Sequence, residues 1–291
     1  MLVQDEHLVD SLFLDLKEKN AQHVADTLWY RKAITGRAKP FVFIGRQSHV
    51  FAWQLESGAS EVWGGETFVE QDALPMNEVD ACQFVEEMPK PFWSFTSGAH
   101  EILKPKLQDE YSSMRIDLCP YRSMEEYEAT VWSSKRRRNL TQELRQYDRF
   151  SRSLSTLFDA RDLSWLLDLN ATVSIKMGEV PYYESGNRLG GLCKLLGTAS
   201  ALGFYRCLKI YDGERLAAAE VFVEHAPTRS ILSFMGHALP EYSGLGKVLY
   251  KEVIARAISV GIETVDVGNY KSDIKLLFKY RPLPTYDVEI V

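Results

Sequence analysis

The stretch that decides the fold runs from Ser230 to Phe278: S-I-L-S-F-M-G-H-A-L-P-E-Y-S-G-L-G-K-V-L-Y-K-E-V-I-A-R-A-I-S-V-G-I-E-T-V-D-V-G-N-Y-K-S-D-I-K-L-L-F. Ile231 to Met235 is a short apolar run that predicts a buried strand. Pro240 to Lys247 (P-E-Y-S-G-L-G-K) is a small-residue turn, Val248 to Ser259 carries a helical pattern, and Glu263 to Val267 alternates as a second strand. Gly244 and Gly246 allow a close backbone approach, and the helix after them aims unsatisfied N–H groups and its positive dipole end at the same point. An anion, a diphosphate above all, suits such a place. A tight strand-to-helix turn with no ligand accounts for the same residues, because G-x-G alone is unspecific.

Working outward, Cys207 to Tyr211 and Leu216 to Val223 flank Asp212-Gly213, a strong hairpin signal. Upstream, Ser123 with Glu126 three residues on forms a capping box, which predicts one long helix to about Asp148. Helices are also predicted over Leu163 to Ile175 and Leu189 to Leu202, and a short strand over Met114 to Leu118. Nearer the start, residues 5 to 33 read as a helix and Thr67 to Phe84 as loop and helix. Phe41 to Ile44 and His49 to Leu55 read as strands around Gly45-Arg46-Gln47. Pro89 to Gly98 suits a strand or an aromatic-lined loop. Two lobes are expected, 1–115 and 116–291.

Bulk properties narrow the function classes. The 291 residues suit one large domain or two compact ones, and 45% hydrophobic residues can build a core. A net charge of −6 argues against a non-specific nucleic-acid coat. The four cysteines show no paired spacing, which predicts a reduced, cytoplasmic protein, and no apolar run reaches the length of a membrane span. The scattered histidines form no i, i+4 pair and no cysteine stands at ligand spacing, so no metal site is expected. Neither a G-x-S-x-G elbow nor a G-x-x-x-x-G-K-[ST] loop occurs.

Three segments carry a family resemblance: Ser134-Lys135-Arg136-Arg137-Arg138-Asn139-Leu140, Asp212-Gly213 with Leu216-Ala217-Ala218, and Asp266-x-Gly268 with Lys275 and Phe278. From Met114 to Phe278 the chain resembles the GCN5-related N-acetyltransferase (GNAT) superfamily, in its FemAB/CelD-like branch. Ile274 stands where that branch usually has tyrosine, and Glu241 where the wider superfamily has Arg or Gln before its phosphate-binding loop. A carboxylate there costs binding unless it points away.

The resemblance implies an α/β fold, an acyl-CoA N-acyltransferase (GNAT-like) mixed sheet flanked by helices, in two lobes of which the first is a degenerate copy. It implies N-acyl transfer from acyl-CoA, acetyl-CoA in the first instance, to an amine of an unidentified small molecule or peptide. Transfer from an aminoacyl-tRNA is the alternative, and a catalytically inactive binding module a third. The diphosphate cradle falls on Ser243, Gly244, Leu245, Gly246 and Lys247, and the oxyanion donors on the backbone of Met235 and Gly236. Arg138 and Arg145, with Arg149, project onto one stripe of the long helix, as a phosphate-facing surface or a solvated basic face. Asp266, expensive to bury alone, is either paired or binds the substrate amine together with Asn269. For catalysis the candidates are His237 and Glu220 as proton acceptors and Lys275 as a cation near the acyl group. Each also has an ordinary reading, as a loop histidine, an outward-facing glutamate and a surface lysine.

Overall fold

The computed structural model describes residues 1–5, 7–9, 11–12, 39–47, 49–54, 60–62, 74, 77–96, 99–177, 186–226, 229–267 and 272–291. Most of the helix predicted over 5–33, the loop at 67–73 and Asn269 lie outside the described residues. The chain divides into two compact units, Met1–Ser113 with Pro282–Val291, and Met114–Val267 with Lys271–Arg281. The C-terminal segment therefore groups with the first unit, whereas the sequence reading kept all of 116–291 together.

In the first unit, β1 (Leu2–Val3), β2 (Lys39–Ile44), β3 (His49–Gln54), β4 (Ser60–Val62), β5 (Phe92–Thr96) and the last strand, β12 (Arg281–Ile290), follow one another in the sheet. β2 and β3 are the hairpin around Gly45-Arg46-Gln47. Its turn is held by buried Asp80 of α1 (Glu78–Glu87), whose carboxylate accepts from Arg46 N at 2.7 Å and Gln47 N at 2.8 Å. Phe43, Phe84 and Phe92 meet edge-on in this unit's core.

The second unit is a mixed sheet ordered β6 (Lys106–Asp117, through its Met114–Asp117 end), β11 (Thr264–Asp266), β10 (Ser230–Ala238), β9 (Arg215–His225), β8 (Tyr205–Asp212) and β7 (Ser151–Ser155). Only β10 and β11 run parallel among these pairs. The helix between them, α6 (Leu245–Ser259), is the crossover such a pair needs. It buries Leu245, Val248, Leu249, Val253 and Ile254 in a core shared with Ile210, Ala218, Phe222 and Ile231 of the sheet. Gly213 turns the β8–β9 hairpin at φ 61°.

The predicted long helix from Ser123 is instead two, α2 (Met124–Val131) and α3 (Ser134–Leu144), followed by a 3₁₀ turn over Arg145–Tyr147. Ser123 does cap the first, accepting from Glu126 N at 3.2 Å. Trp132 then takes an extended backbone, buries its ring and donates Nε1–H to Leu277 O at 2.8 Å. Ser133 caps the second helix from its own hydroxyl. Burial of the Trp132 ring, its hydrogen bond to Leu277 O and the Ser133 cap thus divide a segment that the sequence reads as one helix. The other two helices of this unit, α4 (Ala160–Met177) and α5 (Gly186–Ala201), fall where expected, and the short α7 (Asp273–Leu277) precedes β12. No helix among the described residues is long and apolar enough to cross a membrane.

Candidate active site

β10 is nine residues long and β11 only three, so β11 pairs with Ser230, Ile231 and Leu232 and then stops. From Ser233 onward that edge of β10 has no strand beside it among the described residues, while the other edge stays paired with β9 as far as Ala238. The β10–β9 register shifts between Ser233 and Met235. Such a bulge re-aims backbone groups at the rim of a sheet. An open, bulged strand edge results, and the polar side chains of the unit converge beside it.

Glu220 of β9 stands directly across from Gly236 of β10 and is 3% exposed. Ser233 Oγ–H donates to its Oε1 at 2.8 Å. Burial pushes the carboxyl up to about 7, against the Ser233 hydrogen bond and the positive charge of Lys275, which both pull it down. A Cβ on Gly236 would lie 3.1 Å from the Glu220 carboxyl group, including Oε2. The glutamate therefore faces inward, contrary to its outward-facing reading.

Lys275 enters from α7, where Ser272 caps the helix. It is buried, not a surface lysine, and donates Nζ–H to Val267 O at 2.7 Å, just past the end of β11. Burial brings its ammonium down to about 8, while the charges of Asp266 and Glu220 hold it up. Asp266 lies opposite Arg115 of β6 and pairs with its guanidinium at 3.3 Å, so its carboxylate is engaged within the sheet. Tyr250 of α6 stacks on Phe278 and meets Tyr280 edge-on. The Glu220 charge reaches both tyrosine hydroxyls.

His237 is on the other side. Successive strand residues point to opposite faces, so His237 turns away from the face Gly236 shares with Glu220. Its Nε2 lies 3.0 Å from the Asn170 amide of α4, and burial lowers its pKa. With that amide donating, the ring proton sits on Nδ1. Glu220, Lys275 and the open edge are thus brought together, and His237 is not.

The glycine turn has the geometry its sequence requires at Gly244, which caps α6 with φ 88°. Gly246 is different: a Cβ there would make ordinary contact with Ile274 at 3.7 Å. Two of the turn's N–H groups are already used, Leu245 N on Tyr242 O at 3.1 Å and Lys247 N on Gly244 O at 2.9 Å. Tyr147 ties the turn to the end of α3, donating to Ser243 O at 2.6 Å. Glu241 points aside, paired with Arg215 at 2.5 Å. A second carboxylate, Glu143 of α3, pairs with Lys247 and would lie 2.9 Å from a Cβ on Gly244. Arg138 and Arg145 are both exposed, although they no longer share one helix. Arg145 and Arg149 line an open groove of about 620 Å³ beside Tyr242. Among the described residues no three His, Cys, Asp or Glu side chains could hold a metal ion.

Sequence reasoning missed Ser233, Asn170, Glu143 and Arg115. Of these only Ser233 left a trace, as the polar residue in an otherwise apolar strand.

Residues 134–276 match the family described as an acetyltransferase (GNAT) domain. No curated protein matches the chain in sequence. Solved structures match along its whole length. A conserved protein of unknown function from Bacteroides thetaiotaomicron aligns over 100% of this chain and 99% of its own, with 12% identity and a TM-score of 0.61. FemX aligns over 99% and 96%, with 8% identity and a TM-score of 0.60. A tandem GNAT protein from the clavulanic acid biosynthesis pathway aligns over 100% and 98%, with 10% identity and a TM-score of 0.50. The second unit is a GNAT-like mixed sheet flanked by helices, and its stretch from 134 to 276 matches the GNAT acetyltransferase domain family.

Proposed function

We propose that this protein transfers an acyl group from acyl-CoA, acetyl-CoA in the first instance, to an amine, with Glu220 as the proton acceptor. The observation that carries the reading is the buried Glu220 carboxyl group on β9, directly across from Gly236 and one strand in from the open edge of β10, balanced near neutral pH. Acyl transfer to an amine needs a neutral nucleophile held against the thioester, a donor for the developing oxyanion and somewhere for the proton to go. Glu220 Oε2 takes the proton from the acceptor ammonium, and the freed amine attacks the carbonyl carbon. Of Met235 and Gly236, the one whose backbone N–H points to the open edge of β10 faces the oxyanion, since successive strand N–H groups point to opposite edges. The C–S bond then breaks with its electron pair on sulfur, which takes the second proton from the former ammonium nitrogen and leaves as free thiol. Lys275 supplies positive charge beside Glu220, and the Ser243–Lys247 turn receives the diphosphate. The reaction belongs in a reducing compartment such as the cytoplasm, consistent with four free cysteines.

The test is release of free thiol from acetyl-CoA with a panel of primary amines: a hexosamine, an amino acid, a polyamine and a peptide. Glu220→Gln should slow it by roughly 10²-fold or more. If calorimetry finds no binding of CoA or acetyl-CoA, the donor assignment fails.

A second reading, an aminoacyl-tRNA donor, draws on Lys135, Arg136 and Arg138, which are exposed on α3 and make no ion pair among the described residues. In that case binding of tRNA weakens steeply with salt, and Arg138→Ala combined with Arg145→Ala flattens the slope. Turnover with either donor removes the third reading, an inactive binding module.

A further inference from the structure

We infer that Ser233 is a positioning residue, which pins one carboxyl oxygen of Glu220 so that the other faces the space beside Gly236 where the acceptor amine delivers its proton. This rests on the reading of Glu220 as proton acceptor.

Four observations converge on it. Ser233 Oγ–H donates to Glu220 Oε1 at 2.8 Å, so that oxygen is engaged. Oε2 is left as the oxygen that lies within 3.1 Å of a Cβ on Gly236. Gly236 itself is exposed, while the glutamate beneath it is 3% exposed. The backbone beside Oε2 therefore meets solvent while the glutamate side chain as a whole does not. Ser233 also sits where the β10–β9 register shifts and where β11 has just ended. Across the strands it is paired in register with Phe222 rather than with Glu220, so the bulge lets its hydroxyl lean along the sheet to the carboxyl group.

A free carboxyl group in an apolar pocket turns about its last torsion with little preference. A fixed donor on one oxygen removes that freedom and favours the ionised form. The groups that face Glu220 electrostatically are Lys275 from α7, Tyr250 from α6, Tyr280 after α7 and Cys207 from β8. Ser233 is the one that donates a hydrogen bond to it among the described residues. In the step itself the ammonium N–H bond breaks, its electron pair stays on nitrogen, and the proton forms an O–H bond at Oε2. The nitrogen electron pair forms the C–N bond, the C–S bond breaks with its pair on sulfur, and the thiolate takes the second proton from that nitrogen. The proton on Oε2 then leaves to solvent as free thiol and amide depart.

The experiment follows the Glu220 carboxyl carbon by NMR across pH in protein labelled with [¹³C]glutamate, the signal being assigned by its loss in Glu220→Gln. The wild-type midpoint is expected near 7. In Ser233→Ala, with an unchanged circular-dichroism spectrum, it should rise by about one pH unit, because a hydrogen bond to the charged form is gone. Ser233→Thr should restore it. Gly236→Ala, which crowds Oε2 without touching Ser233, should shift the midpoint and slow thiol release from acetyl-CoA. If the midpoint in folded Ser233→Ala stays where it is in wild type, the hydroxyl does not hold the carboxylate and the inference is overturned. It is equally overturned if Ser233→Ala, at a pH above its own midpoint, releases thiol at the wild-type rate with unchanged KM. Full turnover by Glu220→Gln would instead sink the underlying reading of the proton acceptor. A dead Glu220→Gln beside an unaffected Ser233→Ala would leave that reading standing and remove only Ser233.

Discussion

Glu143 and Lys247 form an ion pair at the glycine turn, with the carboxylate resting against Gly244, which has no side chain to keep it away. The protein's own anion thus occupies the ground assigned to the donor's diphosphate. Replacing Glu143 with Gln should free Lys247 and tighten CoA binding about two- to five-fold, the range expected of a partly exposed ion pair. Isothermal titration with CoA reads this directly, and weaker binding in the variant would place the diphosphate elsewhere.

The two turn glycines should respond differently. Gly244→Ala places a side chain at φ 88° and 2.9 Å from Glu143 Oε1, and should cost about 1–2 kcal/mol. Gly246→Ala adds a methyl group inside a helix, in ordinary contact with Ile274, and should be neutral or stabilising by about 0.5–1 kcal/mol. Urea unfolding of both variants checks the contrast. Gly246→Val, if it abolishes CoA binding while the melting temperature barely moves, supports a diphosphate at this turn.

Stability should depend on pH through Glu220. Its folded pKa, about 7, lies above the ordinary carboxylate value of 4.5. The folded state therefore holds a proton that the unfolded chain has already lost. The associated stability is present below pH 4.5 and is lost as pH rises through 7, by an amount on the order of 3 kcal/mol. Glu220→Gln should flatten the fall in unfolding free energy across that window. A fall of the same size in the variant would assign it to other groups.

Trp132→Phe keeps an aromatic ring in the core but removes the donor to Leu277 O. About 1 kcal/mol should be lost, because that half-buried carbonyl loses its partner. Thiol release should fall as well, since α7 carries Lys275. Retained activity with lowered stability would show that α7 is held adequately by other contacts.

Much of the fold could be read from local pattern, and the site only in part. The strand, glycine turn, helix and strand from Ser230 onward each carry their own period and punctuation, and all four appear, although the helix begins at Leu245 rather than Val248. The break at Trp132 has no glycine or proline to announce it, because part of its cause lies at Leu277, far along the chain. β12 carries Pro282 and Pro284, which lack the N–H that a strand ladder uses, so its sequence does not announce a strand. Glu220 was nameable as a candidate, but L-A-A-A-E-V-F-V does not say which face the glutamate takes. Its environment depends on a bulge in the neighbouring strand. Arg138 and Arg145 were drawn on one helical stripe that the tertiary structure interrupts.

The end of α7 is fastened twice. Trp132 bonds to Leu277 O, and Tyr127 donates its hydroxyl to Phe278 O at 2.5 Å. A helix of five residues has too few internal hydrogen bonds to persist alone. Lys275 therefore keeps its height over Val267 because two aromatic residues, some 145 positions earlier in the chain, pin the carbonyls behind it. All four anchoring residues fall just outside the segment 134–276. A fragment trimmed to that segment would keep every catalytic candidate and lose the clamp that sets one of them, so the smallest functional piece must reach back past Tyr127 and forward past Phe278.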